Sequence, residues 1–136
     1  MQDAATNATN ATSIQADAQY VRVDFARPLA SNEDAQTLHA ELERSFAAHG
    51  MRRVLFDYSK IGGADEAVRD AMWTWIESVG LEAIAVIVDG ELARVRLNMT
   101  ALSKRLPLRA FVRGVDAIAW LTDPEQRRPT REVRRG

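Results

Sequence analysis

The chain has 136 residues, of which 46% are apolar and 27% are charged, and this size and composition are typical of one soluble globular domain. It contains no cysteine, which excludes disulfides, thiolate metal sites and a cysteine nucleophile. The formal net charge of −1 argues against nucleic-acid binding through the domain, because neutralising phosphates requires a positive excess.

The two ends of the sequence differ in composition from its middle. Residues 1–13 are small and polar, and residues 124–136 are rich in proline and arginine. Neither segment has an apolar period, so we predict two disordered tails around a domain at residues 14–123. No secretory signal and no apolar run of about 18 residues are found, so we expect no transmembrane segment and a cytoplasmic protein.

The apolar patterns predict strands that alternate with helices. Residues 20–25 alternate between apolar and polar side chains, which indicates a half-buried strand, and residues 14–16 are expected to form a short edge strand beside it. Residues 54–56 form a continuous apolar run and residues 81–88 are the most apolar stretch of the chain, and both are typical of strands that are buried on both faces. Residues 108–113 form the last predicted strand.

Helices are predicted over residues 31–49, 65–79 and 90–106, with a short fourth helix after Gly114. Ser31 and Gly50 are residue types typical of the start and the stop of the first helix. Strands that alternate with helices predict an α/β fold, here a mixed sheet of four to five strands with about four helices.

Helical periodicity predicts which side chains each helix buries. In the second helix, Trp73 falls outside the apolar stripe, so we expect it to be exposed. In the third helix, a stripe at spacings of three and four is expected to face the sheet: Leu92, Val95, Met99, Leu102 and Leu106. The basic residues of this helix leave contact with an anionic membrane as a less favoured alternative. His39 is expected at the surface.

The sequence contains no pattern that is typical of catalysis. Gly62 and Gly63 precede a helix, but Asp65 and Glu66 in its first turn would repel a phosphate. Ser59 lacks the surroundings of a nucleophilic serine, and the two histidines lack metal-ligand spacing. We therefore predict a protein that is not an enzyme and has no cofactor or metal. A hydrolase that uses the loop from Asp57 to Asp65 is the least favoured alternative.

Three segments together resemble the SpoIIAA-like family: VLFDYSKIGG, LEAIAVIVDGELARVRLNM and LRAFVRGVDAIAWL. That family belongs to the STAS fold of anti-anti-sigma factors and overlaps the class labelled STAS/SEC14-like. The resemblance covers roughly residues 20–121. It implies a bacterial, non-catalytic STAS-like domain with helices packed on one side of its sheet and with a function in protein or lipid contacts.

The resemblance departs from the family pattern at the regulatory loop. Anti-anti-sigma factors carry the motif D-x-S-x5-D-S after the central strand, and a partner kinase phosphorylates the second serine. Asp57, Ser59 and Asp65 match this spacing, but Glu66 occupies the position of the phosphoserine. Glu66 would therefore supply one fixed charge in place of a phosphorylation switch.

The favoured interpretation is a signalling or regulatory module that binds another protein. Its expected binding residues lie in and after the loop that follows the central strand: Asp57, Ser59, Asp65, Glu66 and Trp73. The alternative is a SEC14-like carrier of a lipid or other apolar ligand, which requires an apolar cavity of roughly 300 Å³ or more. The sequence leaves a homodimer open.

Overall fold

We describe the protein from a computed structural model, and the description covers residues 12–61 and 66–127. The strands in these ranges are β1 (Thr12–Ala16), β2 (Val21–Phe25), β3 (Arg53–Asp57), β4 (Ala83–Ile87) and β5 (Leu108–Phe111). The helices are α1 (Asn32–His49), α2 (Glu66–Val79), α3 (Glu91–Lys104), α4 (Gly114–Thr122) and α5 (Pro124–Arg127). The predicted α/β fold is confirmed.

Regular structure extends past both predicted limits of the domain. β1 begins at Thr12 and not at residue 14, because Thr12 pairs with Phe25 and is buried. At the other end, α5 follows residue 123. Arg127 anchors α5, since it donates hydrogen bonds to the carbonyls of Trp120 and Leu121. The rest of the two predicted tails, residues 1–11 and 128–136, lies outside the described residues.

The five strands form one sheet in the order in which they occur in the chain, β1-β2-β3-β4-β5. β1 is antiparallel to β2, and the other three neighbouring pairs are parallel. Parallel neighbours require a crossover connection, which α1, α2 and α3 supply. The carboxyl ends of β2 to β5 therefore lie at one edge of the sheet, where ligands of α/β proteins commonly bind.

Helices cover both faces of the sheet. Side chains along β3 alternate between the faces: Val54 and Phe56 belong to the same core cluster as residues of α1, α2 and α3. Leu55 points the other way and packs with Ala117 and Leu121 of α4. Packing on one side only, which the resemblance implied, is therefore wrong. The continuous apolar run of β3 reflects this two-sided burial.

The ends of α1 are as predicted. The hydroxyl of Ser31 accepts a hydrogen bond from the backbone N–H of Asp34 at 3.2 Å, which satisfies one free donor of the first turn. Gly50 ends the helix with φ +68°, in the left-handed region that favours glycine.

The predicted orientation of α3 is wrong. Leu92, Met99 and Leu102 are 63%, 65% and 79% exposed, and Val95 is also exposed. We call these four residues the α3 apolar stripe. The inward face of the helix is formed by Ala93, Leu97, Asn98 and Ala101, of which Ala101 is buried.

Asn98 explains this orientation. β5 is the last strand of the sheet, so alternate backbone groups of β5 face away from β4. The side-chain oxygen of Asn98 accepts a hydrogen bond from the N–H of Ala110 at 2.7 Å, and its amide nitrogen donates to the Ala110 carbonyl at 3.3 Å. Turning Asn98 toward β5 turns the apolar stripe of α3 toward solvent. The energetic reason is that a half-buried backbone N–H without a partner is costly.

Candidate functional site

Asp57, at the end of β3, is held by two neighbouring residues. The hydroxyl and the backbone N–H of Ser59 both donate to Asp57 Oδ1, at 2.6 Å and 2.9 Å. Arg22 Nη2 donates to Asp57 Oδ2 at 2.9 Å, and Arg22 Nε donates to Asp24 at 3.0 Å. Both carboxylate oxygens of Asp57 therefore have donors, and the group is not a free general base in this arrangement.

These contacts set the charge state of Asp57. Partial burial disfavours the charged carboxylate, but the hydrogen bonds from Ser59 and the positive charge of Arg22 outweigh it. The pKa of Asp57 is consequently below its ordinary value. Asp57 is thus a fixed negative charge, paired with Arg22 on the α4 side of the sheet.

Tyr58 lies on the opposite face of the sheet from Asp57. Its backbone N–H donates to the carbonyl of Ile87 at 2.8 Å, which continues the pairing of β3 with β4. Its ring stacks on Phe25, with 4.8 Å between the ring centroids. Burial raises the pKa of the Tyr58 hydroxyl, so this group remains a hydrogen-bond donor.

A cavity of about 470 Å³ lies between this face of the sheet and helices α2 and α3. Its walls are mainly apolar and come from every layer around it: Phe25, Phe56 and Val86 from the sheet, Met72 and Ile76 from α2, and Leu97 from α3. Most of these side chains are buried in the main core cluster. A concave apolar space of this size is within the range of small-molecule binding pockets.

Five polar side chains of the described residues also line the cavity. The hydroxyls are those of Tyr58 and Thr100, and the charged groups are Arg69 on α2, Arg96 on α3 and Asp89 just after β4. No ion pair or hydrogen bond from the described residues engages the guanidinium groups of Arg69 and Arg96 or the carboxylate of Asp89, and all three residues are exposed. This sets the two arginines apart from Arg22 and Arg127, which are both engaged in ion pairs.

Trp73 is part of the cavity wall and not an exposed side chain. It is half-buried and packs against the main core cluster. The ammonium group of Lys104 lies over the indole ring, 5.6 Å from its centroid, and Lys104 also forms an ion pair with Glu77 at 2.9 Å. The predicted exposure of Trp73 is therefore wrong, because α3 supplies cover that α2 alone could not reveal.

A buried histidine lies between α1 and α2. The ring of His39 stacks on Trp75 with 4.3 Å between centroids, and its Nε2 lies 3.0 Å from the sulfur of Met72. The indole N–H of Trp75 donates to Glu43 at 3.1 Å. Burial lowers the pKa of His39 to about 4, although the charge of Glu43 counteracts part of this effect. His39 was expected at the surface, and this expectation is wrong.

The structure brings together only some of the predicted site residues. Asp57 and Ser59 are in direct contact, and Glu66 is exposed at the start of α2. Trp73 faces the cavity on the other side of the sheet from Asp57. Asp65 lies outside the described residues.

Sequence analysis missed the polar lining of the cavity. The alternation that places Phe56 inward also places Tyr58 inward, so this residue was within reach of the sequence pattern. Arg69 and Arg96 belong to different helices, and no local pattern indicates that they line the same space.

The described ranges show neither a metal-binding cluster nor a membrane-spanning helix. No group of three or more histidine or acidic side chains there is arranged to hold a metal ion. Nor does any helix within those ranges combine the length and apolar character that crossing a membrane requires.

Comparison with known proteins identifies similar sequences and folds. The family model described as SpoIIAA-like matches residues 25–122. No curated protein matches the sequence.

Two solved structures share the fold. An uncharacterized protein of the DUF3478 family from Shewanella loihica PV-4, which has a SpoIIAA-like fold, is 21% identical with a TM-score of 0.62. The match covers 82% of this chain and 92% of that one. An anti-sigma factor antagonist from Mycobacterium paratuberculosis is 18% identical with a TM-score of 0.58, and the match covers 82% and 93% of the two chains.

Proposed function

Because this chain belongs to the SpoIIAA-like family, we propose that it is a non-catalytic regulatory module that acts by binding another protein. The shared fold of an anti-sigma factor antagonist supports this proposal, since the name of that protein describes an action on a protein factor. We further propose that the module works in signalling in a bacterial cytoplasm.

The observation that carries this proposal is the α3 apolar stripe. Isolated exposed apolar side chains are common, but four along one helix form a continuous apolar strip that is typical of an interaction surface. Of the basic side chains on and next to α3, Arg94 and Lys104 are paired with Glu91 and Glu77, whereas Arg96 and Arg105 are exposed. This charge favours a partner with an acidic rim around an apolar centre.

The loop after β3 provides a second proposed contact. Asp57, Ser59, Asp65, Glu66 and Trp73 are the residues that we assign to it. Glu66 is exposed at the N-terminal end of α2, where the helix dipole favours negative charge. The pairing of Asp57 with Ser59 and Arg22 would give this contact a fixed shape. Trp73 is half-buried in the cavity wall, so only the accessible part of its ring would contact a partner.

Affinity capture from the native host tests the proposal. A Met99→Asp/Leu102→Asp variant places charge in the α3 apolar stripe, and we expect it to lose a partner that the wild type recovers. The matched control is Gln36→Asp/Ala40→Asp, which adds the same charge to exposed positions of α1 and should keep the partner. Glu66→Lys tests the second contact.

Recovery of the same proteins in the same amounts by all variants would contradict the proposal. Sedimentation of the purified wild type and of the stripe variant shows whether each is a monomer or a dimer. A dimer that the stripe variant converts to monomer would show that the stripe binds a second copy of this chain and not a different protein.

A second candidate function is the carriage of a lipid or other apolar ligand. The observation that favours it is the cavity of about 470 Å³, which exceeds the roughly 300 Å³ expected of a ligand pocket. Native mass spectrometry of the purified protein tests this function, because a carrier retains a ligand mass that denaturation releases. Protein of bare mass that also binds no added apolar compound would contradict it.

A further inference from the structure

The polar groups of the cavity are mainly hydrogen-bond donors. Arg69 and Arg96 present guanidinium groups from two different helices, and Tyr58 presents a hydroxyl from the sheet. Among the described residues, Asp89 is the single acidic side chain that lines the same space. The formal charge that these residues give the lining is therefore positive.

These donors lack protein partners. No other described residue forms an ion pair or hydrogen bond with the guanidinium group of Arg69 or Arg96, and the Tyr58 hydroxyl contacts no acceptor in the described ranges. Arg69 and Arg96 are exposed and Tyr58 is half-buried at the cavity, so all three groups are accessible to a ligand. A ligand that carries hydrogen-bond acceptors would pair with them.

We infer that the cavity binds a single-chain amphiphile whose apolar chain lies between the sheet and helices α2 and α3, and whose carboxylate or phosphate head group binds Arg69 and Arg96. This inference rests on the carrier function proposed above as the second candidate. Guanidinium groups bind carboxylate and phosphate through paired hydrogen bonds. A cationic head group would find one carboxylate and be repelled by two arginines.

The apolar side chains of the cavity wall would surround the hydrocarbon chain of the ligand. Phe56, Met72, Ile76 and Leu97 surround the interior of the cavity without offering a hydrogen bond. Each CH₂ group buried there should raise the affinity roughly fourfold. Affinity should therefore rise with chain length until the cavity is filled.

Titration calorimetry with a matched set of ligands tests the inference. The probes are dodecanoate, dodecyl phosphate, dodecanol and dodecylamine, which share one chain and differ in the head group. We expect either anion to bind roughly tenfold or more tightly than the alcohol, because hydrogen bonds to charged groups are the stronger ones. The two anions distinguish a fatty-acid type of head group from a phosphate type.

Two variants show whether the arginines are responsible. Arg69→Gln/Arg96→Gln should lower the affinity for the anion to that for the alcohol, while the affinity for dodecanol stays unchanged and reports an intact cavity. The matched control is Arg105→Gln/Arg109→Gln, which removes the same charge from exposed positions that do not line the cavity. It should bind the anion as the wild type does.

The remaining outcomes separate the inference from the function on which it rests. Equal binding of anion and alcohol would overturn the head-group assignment and leave the carrier function standing. Tightest binding of the amine would also overturn it and would make Asp89 the determinant. Binding of none of the four probes would overturn both.

Discussion

Among single residues, His39 connects packing to pH. Its imidazole is enclosed by Trp75 and Met72, and burial lowers its pKa from 6.5 to about 4. The unfolded chain therefore binds a proton between about pH 6.5 and about pH 4 that the folded protein does not bind. Neutral His39 therefore makes its full contribution to the free energy of unfolding above about pH 6.5. This contribution is lost as the pH falls from about 6.5 to about 4.

We expect the free energy of unfolding to fall by about 1–2 kcal/mol between pH 7.5 and pH 5 on account of this residue. Urea denaturation at the two pH values measures the change. His39→Gln should remove most of the dependence, whereas His49→Gln, at the exposed end of α1, should retain it. An unchanged pH dependence in His39→Gln would show that His39 is not kept neutral by burial.

The misplacement of His39 in the sequence analysis has a physical cause. His39 is next to Leu38, so a slightly wider apolar face of α1 is enough to bury it. Whether His39 is buried depends on Trp75, which α2 places against the imidazole ring. The sequence pattern of α1 alone contains no information about the stacking of His39 on Trp75.

At the scale of elements, α5 shows how a short segment is held by one side chain. Arg127 donates to the carbonyls of Trp120 and Leu121 at the end of α4. It also contacts Glu82 at 3.1 Å, and Glu82 binds Arg53 at 2.7 Å through its other oxygen. α5 therefore joins α4 to the start of β4.

Shortening the chain should reveal this anchor. A chain that ends at residue 123 should unfold several degrees below one that ends at residue 127, because about 1–2 kcal/mol of charge-assisted hydrogen bonding is lost. Differential scanning calorimetry gives the two midpoints. Arg127→Gln in the longer chain should lower the midpoint by a similar amount, whereas Gln126→Ala should not. Equal midpoints for the two chain lengths would mean that α5 adds nothing to stability.

The order and type of the elements from β1 to α4 were predictable because they depend on local signals, whereas α5 was not predicted. Ser31 and Gly50 mark the ends of α1, and the apolar runs of β3 and β4 mark buried strands. The direction in which α3 faces was not predictable from its own period. Asn98 fixes it by bonding to Ala110, which belongs to another element.

At the scale of the whole molecule, the sheet separates two apolar clusters. The larger cluster contains α1, α2 and α3 with their side of the sheet, and the smaller one contains α4 with the other. Trp120 is the largest side chain of the smaller cluster and is 8% exposed. Trp120 and Leu121 are both buried core residues.

Trp120→Ala should therefore lower the free energy of unfolding by about 3–5 kcal/mol, because removing a large buried side chain leaves a cavity. Guanidinium denaturation measures this loss. Val115→Ala, an exposed position of the same helix, is the control and should change it by less than about 0.5 kcal/mol. A wild-type midpoint in Trp120→Ala would show that α4 does not depend on this ring.

The candidate site was predictable only where its residues are close in sequence. Asp57 and Ser59 are two residues apart, and their contact follows from the turn at the end of β3. The cavity is different, because it forms where α2, α3 and four strands meet. Arg69 and Arg96 line the same cavity only in the complete fold.

The bonds from Asn98 to Ala110 also limit how two copies of the molecule can join. An edge strand normally offers its outward N–H and C=O groups to a strand from another chain, which is a common route to sheet extension and aggregation. At Ala110 both groups are already occupied by an amide that imitates a neighbouring strand. A sixth strand could join β5 there only by displacing α3. At Ala110 the β5 edge of the sheet is thus closed to strand addition.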